Sequence, residues 1–300
     1  MHLKQRQLKE LAQNIGFDAI GVVPVALLSD EVAALKRWVA AGKNADMEYM
    51  ARNMEVRENP ERLVEGARSM IVTLTNYYSS QRQPVDVPQL AMYAWGEDYH
   101  IIVKKRLSIL LERLQQEDKA MRGRCFVDSA PVLEHSWAQR AGLGWQGKNT
   151  LLIHKGLGSY CFIGIIVSTA EFDCYDTPST TSYCGNCTRC VEACPTGALT
   201  AGEVDARRCI SYQTIENKGE YPEELKRLAG GRIFGCDACQ SVCPWNLKLT
   251  EHQVPEFQPS PEKMQLTATD WRMMDESRFQ MIFKNTALKR TGLSRIFTNL

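Results

Sequence analysis

The residues with the plainest chemistry are cysteines. Cys184, Cys187, Cys190 and Cys194, followed by Pro195, form C-x2-C-x2-C-x3-C-P, a spacing that holds a 4Fe-4S cluster. Three thiolates two residues apart can wrap one face of a cubane, because a tight loop turns all three sulfurs inward. The fourth, at the start of a helix, is directed to a second site. That second site is supplied by Cys209, Cys236, Cys239 and Cys243, the last followed by Pro244. When two clusters are crossed in this way, Cys184, Cys187, Cys190 and Cys243 hold one, and Cys194, Cys209, Cys236 and Cys239 hold the other. A pair of structural zinc sites is the competing reading of C-x2-C steps. It leaves the third step and the proline after each run without a purpose. Of the remaining cysteines, Cys125 and Cys161 lie in apolar segments and read as small buried hydrophobes, and Cys174 has no assigned part.

Two neighbouring clusters make a short electron wire, and a wire needs a terminus. A chain carrying only the clusters would be far shorter than 300 residues, and the long segment before Cys184 alternates helix and strand. Leu8, Leu11 and Ile15 have helical spacing, and 17–23 reads as a strand. Ser29 can cap a second helix that Gly42 ends. Residues 69–77 are rich in β-branched and aromatic side chains and suit a buried strand. Tyr99, Val103, Leu107, Leu110, Leu111 and Leu114 form one apolar helical stripe. A short strand at 124–127, a helix at 131–141, and a pair of strands at 149–154 and 159–169 around the turn 155–158 follow. The Thr/Ser/Pro stretch 176–182 marks a boundary. Beyond the clusters, a helix is expected around 276–288. The fold class is mixed α+β or α/β, with domains at 1–175, 176–250 (ferredoxin-like, two clusters) and 251–300 (short and helical).

Composition excludes several classes. Apolar residues make up 44% and charged residues 24%, and 36 Lys plus Arg balance 35 Asp plus Glu to a formal charge of +1. Such a chain is globular, and any nucleic-acid contact must use a local basic patch. The longest stretch without a charge, 156–170, falls short of a membrane span. The first ten residues lack the apolar core of a secretory signal, so a reducing cytoplasmic setting is expected, in which the cysteines serve something other than disulfides.

Two motifs in the first domain mislead. Gly142, Gly144 and Gly147 spell G-x-G-x-x-G, but here a helix precedes and a strand follows, so the helix N-terminus that would hold a phosphate is missing. The glycines instead close a helix and permit close backbone approach. Asp98 and His100 begin a D-x-H-x-x-G cobalamin-ligand motif, but Val103 occupies the glycine position, and Asp98 reads better as a helix cap.

The blocks WGEDYH (95–100), FVDSAPVLE (126–134), AGLGWQGKN (141–149), RCISY (208–212) and GCDACQSVCPWN (235–246), in that order with the first cysteine run, resemble the epoxyqueuosine reductases. The resemblance implies a cobalamin-dependent relative of the reductive dehalogenases that completes queuosine synthesis by removing the epoxide oxygen from the modified wobble base of tRNA. A base-off cobalamin would lie between the first domain and the clusters, which deliver its electrons. The catalytic acid falls on Asp128, whose simple alternative is a cap for the helix near Pro131. Expulsion of an epoxide oxygen requires a proton donor, and burial beside an apolar macrocycle would raise the pKa of an aspartate. Arg57, Ser211, Asp237 and Ala238 match family positions near the cofactor, and Leu152 and Ile163 are further expected corrin contacts. For tRNA phosphates the candidates are Lys284, Lys289, Arg290, Arg295 and Arg232, with ALKRTG (287–292) resembling a family stretch. An external low-potential electron donor, a monomer and no membrane association complete the expectations. The competing functions are a reductive dehalogenase of small molecules, disfavoured by the absence of a twin-arginine export signal, and a non-enzymatic electron carrier, which would leave the first domain idle.

Overall fold

A computed structural model describes residues 3–300; the first two of the ten residues read for a signal lie outside it. Helix α1 (Gln5–Ile15) leads into strand β1 (Ala19–Pro24) and helix α2 (Ser29–Ala40). Strand β2 (Ser69–Asn76) is buried along all eight residues, as its composition predicts. Helix α3 (Tyr99–Glu117), strand β3 (Gly123–Phe126), helix α4 (Glu134–Arg140) and strand β4 (Cys161–Ser168) follow. The strands form one antiparallel sheet in the order β1-β2-β4-β3.

Side chains alternate across this sheet with the period of two that a strand imposes. Ile71 and Ile166 face the core that holds Leu107 and Leu110 of α3, whereas Met70, Val72, Leu74, Ile163, Ile165 and Val167 face Trp137 and Ala138 of α4. At Gly164 a Cβ would sit 2.8 Å from Thr73 Oγ1 and 3.0 Å from Val103 and Leu107. Glycine there lets α3 lie directly on β4.

Several local expectations are corrected. Ser29 is the first residue of α2 and not its cap; Leu28 holds that position, and the Ser29 hydroxyl donates to Glu58. The two strands expected around 155–158 do not form a hairpin. Leu152–Ile153 pairs with Trp145–Gln146, and only a single bridge joins His154 to Gly158. The helix expected at 276–288 stops at Phe283 and resumes as Leu288–Thr291 and Leu293–Asn299. Gly144, at φ 152°, allows its backbone to press against that of Ile153, so the glycine run serves the fold as expected.

The C-terminal segment, expected to be short and helical, shares a core with the first domain. Trp271, Phe279, Phe283 and Ile296 lie in one apolar cluster with Leu8, Leu107 and Ile166. The insertion between Cys209 and Cys236 forms helix α5 (Ile210–Ile215), helix α6 (Glu223–Ala229) and a strand, Arg232–Phe234, that pairs in parallel with Gln89–Leu90. No helix among the described residues is long and apolar enough to cross a membrane.

Candidate active site and cluster chambers

The eight cysteines expected to hold clusters fall into two groups, divided as the crossed arrangement implies. Cys184, Cys187, Cys190 and Cys243 line one chamber of about 110 Å³. Cys194, Cys209, Cys236 and Cys239 line a second, of about 340 Å³. Among the described residues no three His, Cys, Asp or Glu side chains converge tightly enough to hold a single metal ion. Each set of four thiols surrounds a volume, and the two chambers suit a pair of cubanes.

The second chamber opens into a larger cavity, of about 910 Å³, with Tyr77, Tyr93, Val204, Cys209 and Ser211 lining both. This cavity lies where the first domain meets the cluster domain. Trp38 on α2 and Phe162 and Ile163 on β4 face Cys209, Ser211 and Tyr212 at the start of α5. The seam is tied by polar contacts: Trp38 Nε1 donates to the Val204 carbonyl at 2.6 Å, and the Tyr212 hydroxyl donates to Asp46 at 3.0 Å.

Asp128 lines the cavity in left-handed backbone conformation, φ 46°, which is uncommon for an aspartate and marks a position held by its surroundings. Its Oδ2 accepts a hydrogen bond from the Tyr99 hydroxyl at 2.5 Å, and His100 Nε2 lies 3.8 Å away. Its backbone N–H donates to Glu134 Oε1 at 2.7 Å. Tyr99 is fixed in turn by stacking on Phe162, with ring centroids 4.2 Å apart and planes 1° from parallel. His100 is oriented by Asp98, which accepts from its backbone N–H and sits 2.7 Å from Nδ1, the capping role expected of Asp98. WGEDYH and FVDSAPVLE therefore meet at one point.

The electrostatics differ from the sequence expectation. The Asp128 side chain is 65% exposed, because it faces the open cavity. It does not cap α4: Leu133 is the N-cap residue and receives no side-chain hydrogen bond. The carboxyl that is pushed up, to about 8, is that of Glu134, through burial in the cavity wall and then the charge of Asp128. Burial and the same neighbour raise Tyr99 well above its ordinary value, so it remains a hydrogen-bond donor at neutral pH. Sequence reading missed Glu134 and Tyr99, although both lie inside the quoted blocks.

The other expected cofactor residues divide. Ile163 and Ser211 line the cavity. Asp237 and Ala238 line the adjoining cluster chamber, where Asp237, pushed up to about 6 by burial, accepts from the Met92 N–H at 2.7 Å. Leu152 is core, packed in the cluster of Trp137 and Ile165, and does not line the cavity. Arg57 is buried but does not reach the cavity either: its guanidinium donates to the Tyr49 and Arg52 carbonyls and so braces the loop that carries Met47, a lining residue. Cys161, expected as an inert core residue, lines the cavity.

Among the basic candidates, Lys284 and Lys289 are exposed, and Arg290 lines the cavity mouth and pairs with Glu216. Arg295 is structural: it donates to the carbonyls of Gln213 and Gly219, pinning the last helix to α5. Arg232 donates to the Ala229 carbonyl and borders a different pocket, beside Cys236.

Comparisons with known proteins agree with this geometry. Residues 183–246 match a family model described as "4Fe-4S double cluster binding domain", and residues 57–129 match one described as "Epoxyqueuosine reductase QueG, DUF1730". The chain is 41% identical to an epoxyqueuosine reductase of Leadbetterella byssophila, over 98% of this chain and 96% of that one. It is 39% identical to one of Pseudomonas aeruginosa, over 98% and 83%. Among solved structures, an epoxyqueuosine reductase with an epoxyqueuosine-modified tRNA-Tyr stem loop superposes with TM-score 0.88 at 29% identity, covering 98% of this chain and 79% of that one. A Bacillus subtilis epoxyqueuosine reductase, described with its catalytic aspartate loop swung out of the active site, superposes at 0.89 with 27% identity, over 98% and 79%.

Proposed function

The chain belongs to the epoxyqueuosine reductase family, and on that premise we propose that it reduces epoxyqueuosine in tRNA to queuosine, with Asp128 as proton donor. The observation that carries this reading is that Asp128 and the cluster cysteine Cys209 line one cavity. A proton source and an electron source thus face the same space.

The cavity fits cobalamin. Its walls are largely aromatic and apolar, and its volume is at the upper end of ordinary ligand sites, roughly 300–1,000 Å³. Two histidines line it, and His100 is oriented by Asp98, 2.7 Å from its Nδ1. Trp38, Tyr93, Phe162 and Ile163 would form the apolar bed, with Ser211 at the cluster side; Asp237, Ala238, Arg57 and Leu152 act from behind. When bound, cobalamin supplies a reducible metal that collects electrons from the clusters and passes them to the substrate.

This chain's own residues do the rest. Removal of the epoxide oxygen as water takes up two electrons and two protons, and the departing oxygen needs a proton as its C–O bond breaks. Asp128 supplies it at its carboxyl. Tyr99 holds that carboxyl toward the cavity, and Glu134 holds the Asp128 backbone. Cys184, Cys187, Cys190 and Cys243 hold the outer cluster; Cys194, Cys209, Cys236 and Cys239 hold the inner one. The tRNA backbone is met by Lys284, Lys289 and Arg290, with Arg295 and Arg232 shaping the elements behind them. An external low-potential donor feeds the outer cluster, the protein acts as a monomer, and the setting is the reducing cytoplasm. Units 1–175, 176–250 and 251–300 divide this labour into cofactor bed, wire and buttress. A small halogenated substrate is the competing reading, and nothing in the cavity favours it.

The test is nucleoside mass spectrometry on epoxyqueuosine-containing tRNA after anaerobic incubation with cluster-loaded protein and reductant. Loss of one oxygen from the modified base only when cobalamin is present supports the reading; absence of conversion with both cofactors bound contradicts it.

A further inference from the structure

Three segments surround the outer cluster chamber: 146–159, 177–191 and 241–250. Together they carry Lys148, Lys155, Arg189 and Lys248 and not one Asp or Glu, in a chain whose formal charge is only +1. The structure brings these segments together. Lys148 Nζ donates to the Gly185 carbonyl at 2.7 Å, Lys155 Nζ lies 4.2 Å from the Tyr183 ring, Tyr183 meets Trp245 at 5.9 Å, and Asn246 accepts from the Ser159 N–H at 2.9 Å. Among the described residues none of the four cations forms an ion pair. Lys155, Arg189 and Lys248 are exposed, as are the apolar side chains of Tyr183 (43%) and Leu247 (61%) between them.

We propose that this face is the docking site of an acidic one-electron carrier protein, of the flavin or iron-sulfur class. This rests on the proposed assignment of Cys184, Cys187, Cys190 and Cys243 to a cluster. Residues 181–190 are all exposed or half-buried, so this cluster is the one near the surface. Its chamber shares no lining residue with the substrate cavity, whereas the inner chamber does. Electrons therefore enter here, each one oxidising the carrier and reducing the outer cluster by one equivalent. Net positive charge around a small apolar centre favours fast, transient encounter with an acidic partner. A tRNA presenting its base to the large cavity is not required to touch this face.

The experiment is stopped-flow bleaching of the clusters in the cofactor-loaded enzyme, with a reduced acidic flavodoxin as donor and photoreduced 5-deazaflavin as the small neutral control. In the triple variant Lys155→Glu, Arg189→Glu, Lys248→Glu the bimolecular rate with flavodoxin is expected to fall roughly tenfold or more and to lose its decline with ionic strength, while the deazaflavin rate stays within about twofold. The single variant Lys248→Glu, outside the ligand loop, gives a smaller fall if the triple variant fails to load clusters. An unchanged flavodoxin rate overturns the proposal, as does lost tRNA affinity with electron transfer intact. Loss of cluster reduction by both donors would indict the cluster assignment instead.

A second, independent observation concerns Asn149. It is buried, and it lines both cluster chambers. Its Oδ1 accepts from the Leu151 N–H at 3.3 Å, while its Nδ2 has no partner. A buried amide donor left unpaired is costly unless something accepts from it. We infer that Asn149 donates to a sulfur of one of the clusters and so raises that cluster's reduction potential, because a hydrogen bond favours the more negative, reduced state. In a potentiometric titration followed by electron-spin resonance, Asn149→Leu is expected to lower one midpoint with cluster content unchanged. Asn149→Ala, which removes the donor without adding a charge, provides the same reading if Leu disturbs packing. Wild-type midpoints in both variants would overturn it.

Discussion

The backbone N–H of Asp128 donates to the Glu134 carboxyl at 2.7 Å, which ties the left-handed Asp128 turn to the first residue of α4. Burial and the charge of Asp128 push Glu134 up to about 8, from an ordinary value of 4.5. A carboxyl raised on folding contributes stability that is fully present below the ordinary value and is lost as pH rises through the folded one. The difference in unfolding midpoint between wild type and Glu134→Gln should therefore move against the wild type between about pH 4.5 and about 8 and level off above. Asp237, also raised, cancels in that difference. Parallel curves across the range would remove Glu134 from this role.

Tyr99 is expected to matter through one hydroxyl. Tyr99→Phe keeps the stack on Phe162 and deletes the donor to Asp128. A hydrogen bond that positions a carboxyl is worth about 0.5–1.5 kcal/mol, or roughly two- to tenfold. Single-turnover rates should fall by that order with cobalamin affinity, measured by absorbance titration, unchanged. A variant that loses cofactor binding instead would show that the ring's hydroxyl serves the bed and not the proton.

The crossed chambers make a prediction that assigning each cysteine run to a cluster of its own would not. Cys243 belongs to the second run but shares its chamber with the first, and Cys194 does the reverse. Cys243→Ala should therefore degrade the outer cluster's spectrum and spare the inner, and Cys194→Ala the opposite. Iron analysis combined with electron-spin resonance separates the two; damage confined to the cluster of the mutated run would refute the crossing.

Arg290 and Arg295, only five positions apart, should behave differently. Lys289→Ala with Arg290→Ala is expected to weaken tRNA binding and flatten its salt dependence by about one to two units of slope, with the unfolding midpoint preserved. Arg295→Ala should lower that midpoint, because two backbone carbonyls lose their donor. Equal loss of affinity in both, without destabilisation, would contradict the assignment.

How much of this was legible in the sequence depends on the range of the interactions. The expected cluster ligands follow from spacing within tight loops, and the structure gathers the two sets into separate chambers. Strand β2 was legible from its β-branched and aromatic composition, and helix α3 from the helical period of its apolar stripe. The hairpin expected around 155–158 failed because Leu152–Ile153 finds its partner at Trp145–Gln146, brought close by Gly144, and β4 finds β2, more than eighty residues away in the chain. Arg57 was placed near the cofactor by family position and Leu152 by its strand after the glycine segment; their side chains turn to the Tyr49 carbonyl and to the core. Glu134 was hidden for a different reason. Its importance lies in burial beside Asp128, and burial is decided by elements distant in sequence.

The central claim is that Asp128 delivers the proton that lets the epoxide oxygen leave. Its most direct test is single-turnover nucleoside mass spectrometry on epoxyqueuosine-containing tRNA with cobalamin-loaded, cluster-loaded Asp128→Asn beside wild type, with cobalamin binding and cluster reduction measured in the same samples. The expected result is intact binding and reduction with conversion lower by a factor of about a hundred or more. Conversion at the wild-type rate would contradict the account.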